Sequence, residues 1–147
     1  ADNFVERLGS EFRRVYGNAQ EAYCDTITTA STMAMEIIAE SDAMYHNAEH
    51  SMMVTLVGQE ILRGKFLRDG RVSPSEWTHF IVSLLCHDIG YVRGICPGDA
   101  GKTAVINAKG DTVRIPPGGT DAFLTPYHVE RGELFVRWRS ILTMSFP

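Results

Sequence analysis

The chain has 147 residues, 44% of them hydrophobic and 22% charged, with 14 basic against 18 acidic side chains and a formal net charge of −4. That length fits one compact domain, and a composition near the globular average excludes a disordered, collagenous or disulfide-dense chain. A sequence pI near 5.7 argues against an autonomous nucleic-acid binder. No apolar run approaches the length needed to cross a bilayer, and the first residues lack the basic start and apolar stretch of a secretory signal. Cys24, Cys86 and Cys96 form no C-x-x-C pair and read as free thiols in a reducing cytoplasm.

In chain order, Phe4, Leu8, Phe12 and Val15 recur at spacings of three or four and predict a first helix, broken near Gly17-Asn18. A second helical stretch is expected from about Ala19 to Ala43, open to a further split because Thr26-Ile27-Thr28-Thr29 is β-branched. A third helix is expected from about Asn47 to Gly64. On it His46, His50, Met53, Val54, Val57 and Ile61 share one stripe, so both histidines should face the core. Ser73-Pro74-Ser75-Glu76 predicts a capped helix start, followed by a stripe of Trp77, Phe80, Ile81, Leu84 and Leu85. Asp88 continues that stripe, His87 lies at its edge, and Gly90 offers a stop. Residues 93–119 hold six of the 13 glycines and three of the six prolines, and within them 103–108 and 111–115 predict a β-hairpin. A final helix is expected from Thr125-Pro126 to about Ser140, with Tyr127, Leu134, Trp138 and Ile141 on one face.

An ionisable side chain on a buried stripe must be paired, hydrogen-bonded or metal-bound. His46, His50 and Asp88 meet that condition from two helices with His87 beside them, and imidazole with carboxylate is the ligand set of divalent ions. Taken singly, each has a plainer reading: a core histidine satisfied by backbone, or an aspartate bonded to a loop. His128 lies at the start of the last helix, where backbone N–H groups favour anions, with Arg131 one turn on. This pair is a candidate for a second metal or a substrate phosphate. Gly98-Asp99-Ala100-Gly101-Lys102-Thr103 lacks both the first glycine and the preceding strand of a phosphate-binding loop, and His79 lies off the apolar stripe.

Tyr45-His46-Asn47-Ala48-Glu49-His50, followed by Cys86-His87-Asp88-Ile89-Gly90-Tyr91, resembles the HD-domain metal-dependent phosphohydrolases, and most of all the branch holding the cyclic-nucleotide phosphodiesterases. The resemblance implies a mostly α-helical HD-type bundle over residues 1–147, with the Gly/Pro-rich insert lying over it. It implies His50, His87 and Asp88 as metal ligands, His46 as the acid that protonates the leaving oxygen, and Asn47 as a polar residue ordering the site. The implied reaction is attack of a metal-activated water on phosphorus, with a small phosphorylated substrate and a divalent ion among Mn, Fe, Mg, Zn and Ni. A cytoplasmic location, with no nucleic-acid or membrane partner, goes with it. Two departures stand out. The late aspartate of the family has no match, since Asp99, Asp111 and Asp121 all lie in or beside the insert, so the domain is expected to be C-terminally truncated. Gly90-Tyr91 stands where the phosphodiesterases place a further acid and histidine. The alternative is a domain that keeps the metal-site fold for ligand sensing or interaction without turnover.

Overall fold

The computed structural model describes residues 2–43 and 46–139. Its fold is mostly helical, with one small antiparallel hairpin among the described residues. Helix α1 (Asp2–Tyr16) buries Phe4, Leu8 and Phe12, and its partner α2 (Glu21–Ile38) follows a short 3₁₀ turn at Asn18–Gln20. Gly17, with φ of 73°, makes the break between them. The β-branched run stays helical within a helix whose Cys24, Ile27, Ala30, Ala34 and Ile38 are buried in the core, and Thr26 and Thr28 satisfy their hydroxyls on carbonyls of the preceding turn. The second stretch stops at Ile38, short of the expected Ala43.

Helix α3 (Ala48–Asp69) runs past Gly64 and ends at Gly70, which takes the left-handed conformation with φ of 64°. Its inward face is not the one its apolar spacing predicts. Ser51, Thr55, Gly58, Gln59 and Leu62 are buried, while Met53, Val57 and Ile61 face outward. Gly58 explains the choice. A β-carbon there would stand 2.1 Å from Leu84 Cδ1, so α3 docks closely on α4 (Pro74–Leu85) along its narrow side. The capped start of α4 is as expected: Ser73 accepts the N–H of Glu76 and Pro74 occupies the first turn.

The stripe on α4 does not carry Asp88 within the helix. The helix closes at Leu85, and Asp88 leads a 3₁₀ turn, Ile89–Tyr91, that swings the chain toward the last helix. Strands β1 (Thr103–Val105) and β2 (Thr112–Arg114) pair with Ala104 opposite Val113; β1 starts as expected but stops short of 108, and β2 is one residue shorter than expected at each end. Asn107 Oδ1 closes the loop between them by accepting the N–H groups of Lys109 and Asp111. A satellite core of Ala43, Tyr91, Ala104, Ile115 and Leu124 fastens the insert to the helical body.

The last helix, α5 (His128–Trp138), begins later than Thr125-Pro126; Asp121–Leu124 forms a separate 3₁₀ turn that ends on Thr125. It buries Arg131, Gly132 and Phe135 and leaves Trp138 exposed, so the Tyr127–Leu134–Trp138 face is not the packed one. Ser140 and Ile141, the expected end of this helix, and Tyr45 of the first motif lie outside the described residues. No helix among the described residues is long and apolar enough to cross a membrane.

Candidate metal centre

Three elements deliver side chains to one point. Asn47 caps α3 by accepting the backbone N–H of His50 at 2.9 Å, which sets His46 just outside the helix and His50 in its first turn. The turn after α4 supplies His87 and Asp88. The start of α5 supplies His128, held close because Gly90 has no side chain: a β-carbon there would stand 1.8 Å from the His128 carbonyl oxygen.

Asp88 is 2% exposed and lies at the centre. Its Oδ2 is 2.9 Å from His46 Nδ1, 3.0 Å from His87 Nε2 and 3.4 Å from His50 Nε2, while Oδ1 is 3.9 Å from His128 Nε2. Burial pushes its carboxyl upward, but the bonds from His87 and His46 outweigh that and hold it at about 2. Four imidazoles therefore surround one buried carboxylate.

The second nitrogens fix the chemistry of the first. His87 Nδ1 lies 2.6 Å from the Leu84 carbonyl and His128 Nδ1 lies 2.7 Å from that of Thr125. A carbonyl only accepts, so both Nδ1 atoms carry protons and both Nε2 atoms are left to face Asp88. Carbonyl-anchored Nδ1–H with a free Nε2 is the arrangement of metal-ligating histidines. For His87, the Asp88 contact raises the imidazole pKa and burial opposes it. A positive charge between Nε2 and Oδ2, proton or metal, is what the pairing requires. His46, His50 and Asp88 offer donor atoms that all lie within 4.8 Å of one another, and this group could hold a metal ion.

Tyr91, which the sequence marks only as a departure from the phosphodiesterase pattern, belongs to the centre. It is buried between His46 and His128, stacked on both at centroid distances of 4.4 and 4.5 Å with interplanar angles of 20° and 18°. Its hydroxyl donates to Thr125 Oγ1. An aromatic side chain right after the His-Asp turn was the available signal, but the stacking partners come from distant parts of the chain.

Arg131 is not available to a phosphate. It is fully buried, and all its donors are spent: Nε on the Gly90 carbonyl, Nη1 on Asp99 Oδ1 and the Val105 carbonyl, Nη2 on Asp99 Oδ2 and the Val92 carbonyl. Asn47 is likewise occupied, as the cap of α3. Of the insert's aspartates, Asp99 is bound by Arg131, and Asp121 by Arg93, Ser41 and the Asp42 N–H. Neither reaches the histidines. Asp111 is taken up in the hairpin loop by Asn107.

A cleft of about 420 Å³ opens beside His87 between the end of α4 and α5. Cys86, Val129, Gly132 and Val136 form its apolar wall, with Glu133 and Arg137 also lining it. All three thiols are buried and unpaired. Burial pushes the Cys86 thiol up to about 12 and that of Cys96 to about 11, so neither is a ready thiolate.

No curated protein and no solved structure matches this sequence. Residues 1–144 match the model of the Npun_R2479-like family, and over that span the chain belongs to it.

Proposed function

We propose that the chain is a metal-dependent phosphohydrolase acting on a small phosphoester, a nucleotide or related phosphodiester, with HD-type chemistry. The observation that carries this reading is Asp88, a buried carboxylate facing Nε2 or Nδ1 of four histidines, two of which have their other nitrogen fixed by a carbonyl. The donor set fits a divalent cation: nitrogen and oxygen atoms, no thiolate, and a carboxylate that stays ionised. His50 and Asp88 would hold the ion with His87, the third ligand the resemblance implies, and His46 has a donor atom close enough to join them; His128 faces the other Asp88 oxygen. Bound there, a divalent cation neutralises phosphoryl charge and makes water acidic enough to attack near neutral pH.

The chain's own residues do the rest. Asp88 keeps the imidazoles converged. His46, with Nδ1 on Asp88, presents its other nitrogen for proton transfer to a leaving oxygen, the role the resemblance gives it. The apolar cleft beside His87 offers a place for the organic part of the substrate. A second reading, ligand sensing without turnover, is favoured by one specific observation: Asp99 and Asp121, the buried aspartates of the later chain, are both committed to arginines.

Metal content and hydrolysis of a phosphodiester panel, measured for the parent chain and for the combined His87→Ala, Asp88→Ala variant, separate these readings. The enzyme reading expects bound metal and hydrolysis in the parent and loss of both in the variant. Metal with nucleotide binding but no hydrolysis by any ion tested gives the sensing reading. Unchanged metal and activity in the variant defeat both.

A further inference from the structure

Helix α3 turns its apolar side chains to solvent. Met53, Val57 and Ile61 are 58%, 55% and 66% exposed, and at a spacing of four they form a single ridge. Phe80 of neighbouring α4, partly exposed, lies beside Gly58, the residue after Val57. Scattered exposed apolar residues are ordinary, but a contiguous ridge over two turns marks an interaction surface.

Charge at the ends of the ridge says what fits it. Glu49 stands one turn before Met53 and Lys65 one turn after Ile61; both are exposed, and neither has an ion-pair partner among the described residues. The order is acid, apolar, Val57, apolar, base, with equal spacing on either side of Val57. Two copies crossed antiparallel at Val57 bring Met53 against the second copy's Ile61, and Glu49 against the second copy's Lys65, twice over by symmetry. A parallel pairing would set Glu49 on Glu49 and Lys65 on Lys65. Interdigitated i±4 ridges run alongside one another, which keeps the end residues in reach. Self-complementarity about a central residue is the property an isologous interface requires.

We propose that two copies of this chain associate through α3, antiparallel, about a two-fold axis at Val57. The patch is small, so the association is weak and concentration-dependent.

Sedimentation equilibrium of the full chain over a dilution series tests this. The expected result is a dimer at the concentrated end that dissociates on dilution. Val57→Glu sets like charges together on the axis and should leave a single-copy mass at every concentration. Lys65→Glu should raise the dissociation constant about ten-fold, and adding Glu49→Lys should restore most of it. Val57, Lys65 and Glu49 are exposed, and circular dichroism verifies that each variant keeps its helices. A parent that sediments as one copy throughout, or a Val57→Glu variant that associates as tightly as the parent, overturns the proposal. A double variant no tighter than Lys65→Glu alone overturns the antiparallel arrangement.

Discussion

Burying Asp88 would be costly if its charge were not answered, and the answer comes from imidazoles whose ring planes must be held still. Tyr91 does part of that holding. It fills the space between His46 and His128, and its hydroxyl ties it to Thr125, the residue whose carbonyl anchors His128 Nδ1. Two substitutions divide these contributions. Tyr91→Phe keeps both stacking contacts and gives up one hydrogen bond, so metal affinity should stay within about three-fold of the parent. Tyr91→Leu removes the flat surface on which both rings lie, and affinity should fall about ten-fold, the scale on which supporting residues act at metal sites. Titration with zinc or manganese, followed by calorimetry, reads both. Equal losses in the two variants would mean that the hydroxyl, not the stack, orients the histidines.

At the level of single elements, α3 shows how one residue can serve a site without taking part in its chemistry. Asn47 accepts the His50 N–H, so removing its side chain exposes an orphan donor at the helix start and loosens both flanking histidines. Asn47→Ala should cost about 1 kcal/mol in urea unfolding, whereas Asn47→Ser, which also caps well, should match the parent in stability and in hydrolysis. A serine variant that is stable yet inactive would return Asn47 to the reaction itself. The Ser73-Pro74 start was legible in the sequence, because local spacing and residue type determine it, and His46, His50, His87 and Asp88 were singled out there as motif residues, but their meeting depends on how distant elements dock. The buried face of α3 was not legible. Counting apolar residues favoured Met53, Val57 and Ile61, but the docking side was decided by Gly58, whose lack of a side chain matters only once Leu84 lies against it. Arg131 misled for a related reason. Its partners come from Gly90, Val92, Asp99 and Val105, and no periodicity along the chain shows that these four surround one guanidinium.

Across the whole molecule, the insert and the helical body are joined by that guanidinium. Asp99 also accepts the N–H groups of Gly94, Cys96 and Val105, so one carboxylate gathers the loop after the His87-Asp88 turn, the first strand and α5. Burial raises the Asp99 pKa, but the Arg131 fork and these backbone donors prevail and leave it lowered. A lowered folded-state pKa means that the unfolded chain takes up its proton first as acid is added. The stabilisation is therefore complete above the unfolded carboxyl value of about 3.9, and it is lost as pH falls through the lower folded value. Urea midpoints measured from pH 7 downward should first rise slightly, because His87, whose folded-state pKa is raised, takes up its proton more readily in the folded chain, and should then drop below about pH 4. Asp99→Asn should be less stable than the parent at neutral pH, with a shallower fall in acid; the remaining slope comes from Asp88 and Asp42, whose carboxyls are also held low. Arg131→Ala should do more harm, about 3–5 kcal/mol, because it leaves Asp99 buried and unpaired, and it should free the insert from α5. Loss of the insert's packing also uncovers Cys96, which bonds to the Arg131 carbonyl. Its alkylation by iodoacetamide should accelerate in Arg131→Ala under native conditions, while Cys24, buried between α1 and α2, should stay protected. If both thiols became reactive together, the Asp99–Arg131 pair would be holding up the entire fold rather than the junction between its two parts.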